Sequence, residues 1–343
     1  MITHMGDEQW YWEALGPECI GEVFALIAVV EGADHAPIRT ARQEVESYFG
    51  ESQPWKAQGA RCLKTKELIA FGLVRADAFT GGMNNGIIIT ISGGVHPDWR
   101  RKGLGGELLE RQIDFAHVLG QELGAVEYTI KMYLDERQND LAQLVSATDF
   151  ADEYQFTQVQ QELSPSIQAD QSLDLGPFLQ IVPMQVEHYQ SVYRLHCQML
   201  NPGCDCADFM QQNLDFSQLG YNPQWCFVAV DSFADRPEVA GYILCSRFKF
   251  NTGSKESSLA EGDEEGYIEE LAVFPKWYRR GVEAALIQAA VRQFVADGMT
   301  LAGADLIQYP DGSEKEINQV IRDAGFHPVA TTMVVSSSFQ VEH

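Results

Sequence analysis

Residues 95–108, VHPDWRRKGLGGEL, recur without a gap at 273–286 as VFPKWYRRGVEAAL, an offset of 178 positions in a chain of 343. Val95, Pro97, Trp99, Arg101, Gly103 and Leu108 return as Val273, Pro275, Trp277, Arg279, Gly281 and Leu286. Gly120 and Gly298 match further on, where a helix C-cap glycine belongs. A period this long marks a duplicated domain, not a solenoid of short repeats. Whatever fold the first half adopts, the second must adopt with the same order of elements.

The flanking patterns repeat as well. LIAFGLVRADAF and GIIITISGGV precede the first motif, and WCFVAVD, VAGYILCSRF and GYIEELAV precede the second. All are rich in β-branched and aromatic residues and read as strands. A helix follows each glycine turn. Its inner stripe is Leu104, Leu108, Phe115 and Leu119 in one copy, and Val282, Leu286, Ala290 and Phe294 in the other. A strand (AVEYTIKMYL, TLAGADLI) and another helix (NDLAQLVSA, EKEINQVIRDA) come next. Each half also opens with helical spacing, at Ile20, Val23, Ile27 and Val30 and again in VEHYQSVYRLHCQML. This alternation predicts two α/β domains, each with a mixed sheet, over residues 1–162 and 178–343. The join is LSPSIQADQSLDLGP, residues 163–177, which is polar and carries two prolines. NTGSKESSLAEGDEEG, residues 251–266, reads as an acidic mobile loop.

Composition narrows the function classes. Hydrophobic residues make up 45% and charged residues 21%, which excludes a disordered chain. No apolar run reaches the ~20 residues of a membrane span. MITHMGDEQWYWEALG lacks a signal-peptide layout, so a cytoplasmic protein is expected. Seven cysteines, an odd number and several in apolar runs, read as reduced, buried thiols. His196, Cys197, Cys204 and Cys206 match no usual zinc spacing, and no metal is expected. A formal charge of -25 repels nucleic acids and anionic membranes and favours a cationic small molecule such as an amine.

Against that charge, the first glycine turn carries Arg100, Arg101 and Lys102. A strand ending at Val95, a turn opened by Pro97 and a helix starting near Leu104 together make an anion site. The first N–H groups of a helix have no intrahelical acceptor and carry the positive end of its dipole. Gly103, Gly105 and Gly106 let a phosphate approach that backbone. The Walker pattern GxxxxGK[ST] is absent, and the Rossmann GxGxxG lacks its third glycine at the right place. The pattern that fits, over Arg100–Gly105, is [RQ]-x-x-G-x-[GA] preceded by V-x-P.

With that signature in that setting, the first half resembles the GCN5-related N-acetyltransferases (GNATs), and the duplication resembles their tandem members such as mycothiol synthase. The resemblance is sharp over residues 87–120 and weaker over 266–298. It implies acetyl-coenzyme A as co-substrate, with its pyrophosphate on Arg100–Gly106, and a small-molecule amine as acceptor. It implies that a backbone N–H near the end of the fourth strand, in Ser92-Gly93-Gly94-Val95, polarises the thioester. The two adjacent glycines read equally as ligand approach or as a bulge. Asn139 is expected to touch pantetheine or to cap a helix, and Glu31, Asp34 and His35 to face the acceptor. Catalytic groups are less defined. The second copy has Glu269 and Glu270 where the first has Ile91 and Ser92. Ser92, Glu270 and Tyr133 are the candidates. Ser146 and Ile321 stand near the place of the family's tyrosine acid, and Tyr128 is expected in the core. In the second copy Tyr278 replaces Arg100 and Glu283 replaces Gly105, so a carboxylate would stand where a pyrophosphate rests. The expectation is cofactor binding by the first domain, with a degenerate second. A non-catalytic acyl-coenzyme A sensor or scaffold is the alternative. A third reading makes the second domain the catalyst, with an unusual acyl donor.

Overall fold

The structure is a computed structural model that describes residues 9–36, 40, 42–50, 53–76, 86–164, 173–199, 221–233, 237–249 and 264–341. They form two compact units, each a mixed α/β layer structure. One unit holds the chain up to Tyr154 together with Thr332 onward. The other holds Gln155–Thr331.

In the first unit the strands lie in the order β1 (Trp10–Ala14), β2 (Trp55–Cys62), β3 (Leu68–Ala76), β4 (Gly86–Val95), β5 (Glu127–Asp135) and β12 (His327–Gln340). Only β4 and β5 run parallel, as the crossover through a helix between them requires. That helix is α3 (Leu104–Glu122). It buries Leu104, Leu108, Leu109, Ala116 and Leu119, each fully covered leucine contributing about 1.5–3 kcal/mol. The opposite sheet face is covered by α1 (Ile20–Ala33), whose Val23, Leu26, Ile27 and Val30 share a core with Phe71 and Leu73. Two short helices, α2 (Arg42–Tyr48) and α4 (Asn139–Val145), complete the unit.

The second unit repeats this plan with β6 (Ala151–Glu162), β11 (Leu301–Gln308), β10 (Glu264–Val273), β9 (Glu238–Lys249), β8 (Phe227–Asp231) and β7 (Leu179–Pro183). On one face α6 (Val282–Ala296) packs Leu286, Ala290 and Phe294 with Trp225 and Ile243. On the other α5 (Val186–Met199) packs Val192 and Leu195 with Tyr242. A final short helix, α7 (Glu316–Asp323), buries Ile321.

Several features differ from the sequence reading. Strands β1, β2, β6, β7 and β12 carry little of the alternation that marks the others, and were not anticipated. The units change over at Tyr154/Gln155 and Thr331/Thr332 rather than within 163–177, because β6 pairs with β11 and β12 pairs with β5. Of that join, residues 165–172 lie outside the described residues. Of the acidic stretch 251–266, residues 264–266 begin β10, and Glu265 there is buried. Cys204 and Cys206 are also outside the described residues, while Cys19, Cys62, Cys197, Cys226 and Cys245 are buried. No described helix is long and apolar enough to cross a membrane.

The strand exchange has a consequence for fragments. A chain ending at residue 162 lacks β12, the neighbour of β5, and leaves that edge unpaired. Such a fragment is expected to lose its cooperative thermal transition or to self-associate. Circular dichroism and light scattering check this, and a monomeric fragment with an intact transition would contradict it.

Candidate functional site

The turn before α3 is shaped by two left-handed residues, Arg101 (φ 59°) and Gly103 (φ 89°). A single 3-10 turn, Pro97–Trp99, leads in, and the first intrahelical bond runs from the Glu107 N–H to the Gly103 carbonyl. The N–H groups of Leu104, Gly105 and Gly106 therefore have no carbonyl four residues back to bond. The Leu104 side chain is fully buried and fastens the helix start, so Leu104 offers only its backbone. Glu107 adds a second fastening by accepting from the indoles of Trp10 (3.1 Å) and Trp12 (2.5 Å) on β1.

The three cations of the turn hold it in shape. Arg100 forms a two-pronged pair with Asp34 at the end of α1 (2.5 and 2.9 Å) and reaches the Val95 carbonyl (3.2 Å). Arg101 pairs with Asp140 on α4 and reaches Gln143 (3.4 Å). Lys102 donates to the Asp98 carbonyl (2.7 Å) and lies over the Trp99 ring. The Arg100 pair is partly buried, whereas the Arg101 pair is exposed and worth no more than about 1 kcal/mol.

Beside the turn, β4 and β5 part. Their parallel ladder runs from Gly86/Glu127 to Thr90/Lys131 and stops there. On the other edge of β4 the register with β3 continues unbroken to Val95, with no bulge at Gly93-Gly94. The His96 N–H bonds to the Ile69 carbonyl across this seam. By alternation Ser92 and Gly94 also face β3, whereas the N–H and carbonyl groups of Gly93 and Val95 face the gap that β5 has left. The glycine pair thus belongs to a regular strand with one free edge.

A cleft of about 660 Å³ joins the two features. Ser92, Gly93, Gly94, Val95, Arg100, Arg101, Gly103, Gly105, Gly106, Tyr133 and Asn139 all line it. Asn139 is the first residue of α4, and Gln138 stands at the cap position without a side-chain capping bond. Asp34 lines the cleft but is engaged by Arg100. Lys102, Leu104, Glu31 and His35 are not among the lining residues. Glu31 accepts from Thr40 (N–H 3.0 Å, Oγ1 2.5 Å) and braces the α1–α2 connection. Ser146 bonds the Gln143 carbonyl (2.8 Å), and Tyr128 is buried against His117. Sequence reading missed Gln112, a buried amide that also lines the cleft. Its signal was present, since it stands four residues after Leu108 inside the apolar stripe of α3.

The second unit repeats the turn with Arg279 (φ 60°) and Gly281 (φ 79°) and has its own cleft of about 1250 Å³. Here Glu283 occupies the place of Gly105. Its carboxylate accepts from its own backbone N–H at the start of α6, and burial, with the Glu316 charge, holds its pKa above the ordinary range. A side chain of this chain thus sits on the anion position. On the α5 face, Glu270 accepts from Tyr221 (3.1 Å) and Tyr242 (3.0 Å) and pairs with His196 Nδ1 (2.9 Å). Burial pushes the Glu270 carboxyl up, but the bonds from His196, Tyr242 and Tyr221 outweigh it and hold the pKa below its usual value. A carboxylate so satisfied is a weak proton acceptor. Glu269 has one bond, from Ser246 (2.5 Å), and burial holds its carboxyl above the usual range. The ladder between β9 and β10 breaks beside it, between Ile268 and Glu270.

No protein-family model matches this sequence, and no curated protein matches it. Solved structures do. A GCN5-related N-acetyltransferase from Sphaerobacter thermophilus is similar over 98% of both chains at 14% identity, with a TM-score of 0.71. A tandem GNAT protein from the clavulanic acid biosynthesis pathway covers 97% of this chain and all of its own at 13% identity and TM-score 0.63. An N-myristoyltransferase of Saccharomyces cerevisiae, with bound myristoyl-CoA, covers 96% of this chain and 82% of its own at 15% identity and TM-score 0.53. The chain has a tandem GNAT fold.

The His196–Glu270 pair makes stability depend on pH. Its bond to Glu270 raises the His196 pKa, so that contribution is complete below the unfolded value of about 6.5 and fades as pH rises through the folded value. The lowered Glu270 pKa acts oppositely: its contribution is complete above about 4.3 and fades as pH falls through the folded value. The melting-temperature gap between the wild type and His196→Gln is expected to be widest between those two values and to shrink towards alkaline pH. A gap independent of pH would contradict the pairing.

Proposed function

We propose that the chain is an acyl-coenzyme A-dependent N-acyltransferase, most simply an acetyltransferase acting on a primary amine of a small molecule. The N-terminal GNAT domain binds the cofactor. The C-terminal domain is a degenerate copy that supports the fold. One observation carries this reading: the helix-start residues Gly105 and Gly106, whose amides have no carbonyl four residues back to bond, line the same cleft as the free edge of β4. Coenzyme A is a diphosphate on an extended arm with two amide groups. The turn offers donors to the diphosphate, and the β4 edge offers strand-like hydrogen bonds to the arm. Arg101 can exchange its exposed partner Asp140 for a phosphate at little cost.

Acyl transfer joins an uncharged amine nitrogen to the thioester carbon as the carbon–sulfur bond breaks, and the sulfur gains a proton. An alkyl ammonium with pKa about 10.4 must first lose a proton. At the position of Glu270 the first domain has Ser92, which is exposed, and the nearby Asp34 carboxylate is committed to Arg100. Water at the open side of β4 is then the simplest proton acceptor. The chain's own contribution is to hold the thioester oxygen against the Gly93 N–H, where negative charge develops. Tyr133 lines the same cleft and is the candidate neighbour of the leaving sulfur.

The absence of a free carboxylate beside Ser92, among the described residues, favours a second reading: a protein that binds acyl-coenzyme A as a sensor or scaffold. Incubation with acetyl-coenzyme A and a panel of amines, with thiol release monitored, separates the two. Turnover with any amine supports the enzyme, and tight binding without turnover supports the sensor. Binding itself is tested by Gly105→Glu. A Cβ at Gly105 meets nothing nearer than 3.8 Å, so the helix tolerates the change sterically. Placing a carboxylate beside a diphosphate is expected to weaken calorimetric affinity for acetyl-coenzyme A on the order of 100-fold or more. Unchanged affinity would refute the site.

A further inference from the structure

Gln112 is 5% exposed, in the middle of the apolar face of α3. Burying a primary amide costs free energy unless it is hydrogen-bonded. Its Nε2 donates to the Ser92 carbonyl at 2.6 Å and comes within 3.4 Å of the Leu73 carbonyl. Ser92 and Leu73 are directly opposite across the β3–β4 seam, so the amide sits over that seam. Gly72 and Gly93, the next opposite pair, make the room. A Cβ at Gly72 would stand 2.9 Å from Gln112 Cγ, and one at Gly93 would collide first with the Phe71 carbonyl, reaching Nε2 only at 3.4 Å.

The second unit fills the equivalent space differently. Val95 corresponds to Val273, and their strand partners Ala70 and Gly241 correspond in turn. Gly72, Gly93 and Gln112 then correspond to Ile243, Leu271 and Ala290. Two large side chains from the strands and a methyl from the helix pack there, in an apolar core. Both solutions fill the volume, and only the apolar one does so without burying an amide. Packing alone therefore does not account for Gln112.

The peptide linking Ser92 to Gly93 is planar and trans, so the Ser92 carbonyl and the Gly93 N–H point in opposite directions. One faces β3 and Gln112. The other faces the cleft. We infer that Gln112 is a positioning residue, which acts through this peptide plane to aim and polarise the Gly93 N–H as donor to the thioester oxygen. A donor on the carbonyl side of an amide strengthens the N–H on its far side, as in any hydrogen-bonded chain. In the second unit Ala290, which has no amide side chain, stands at the corresponding helix position. This inference rests on the proposal that the N-terminal cleft binds the thioester.

The test is difference infrared spectroscopy of acetyl-coenzyme A carrying ¹³C at the acetyl carbonyl, with calorimetry on the same samples. In the wild type the bound carbonyl stretch is expected to lie below that of the free thioester. Gln112→Leu keeps the volume and removes the donor. It should return the band towards the free position while affinity for acetyl-coenzyme A is unchanged. Gln112→Met makes the same prediction if leucine impairs folding, which thermal melting reports. A variant that binds with the band still lowered would overturn the role and leave Gln112 a packing group. A wild type that does not bind at all would instead overturn the cofactor assignment on which the inference stands.

Discussion

Two left-handed residues, Arg101 and Gly103, are the constraint on which the N-terminal cleft depends. A non-glycine residue in that region costs about 1–2 kcal/mol, and the surrounding structure must sustain it. It does so through side chains. Asp34 holds Arg100 and Glu107 ties the helix start to β1. The turn then delivers three unbonded amides next to a strand with a free edge. The densest positive run of an acidic chain thus acts mainly as scaffold, and the donors facing the cleft are largely backbone.

The second unit keeps the backbone and reverses the chemistry. Arg279 and Gly281 repeat the left-handed pair, yet Glu283 places its own carboxylate over the helix start. On the α5 side of its sheet the second unit groups Glu270, His196 and two tyrosines, and the first unit has Ser92 at the position of Glu270. A glutamate tied by three donors serves the pair it makes better than it would serve as a base.

Much of this was legible in the sequence because it is local. The turn, the helix after it and strands β3, β4, β5, β8, β9, β10 and β11 each declare themselves through pattern, and the duplication confirms one against the other. What was hidden is long-range. Asp34 and Arg100 lie 66 positions apart, and nothing in VVEGADHAP marks Asp34 as a loop brace rather than an acceptor contact. The exchange of β6 and β12 depends on pairing between strands far apart in the chain, and β6 is too polar to announce a strand inside a sheet. Glu265 read as loop because its neighbours are acidic, yet β10 carries it inside, where burial lifts its carboxyl to about 7. Gln112 was passed over because a polar residue in an apolar stripe reads as an exception, when its partners are two backbone carbonyls on different strands.

The central claim is that the amides of Leu104–Gly106 hold a diphosphate and those at the start of α6 do not. The most direct measurement is a crystal structure of the full chain soaked with coenzyme A. The account predicts density for the diphosphate against Leu104, Gly105 and Gly106, with Glu283 still folded over its own helix. Density on the C-terminal turn, with the N-terminal cleft empty, would contradict it.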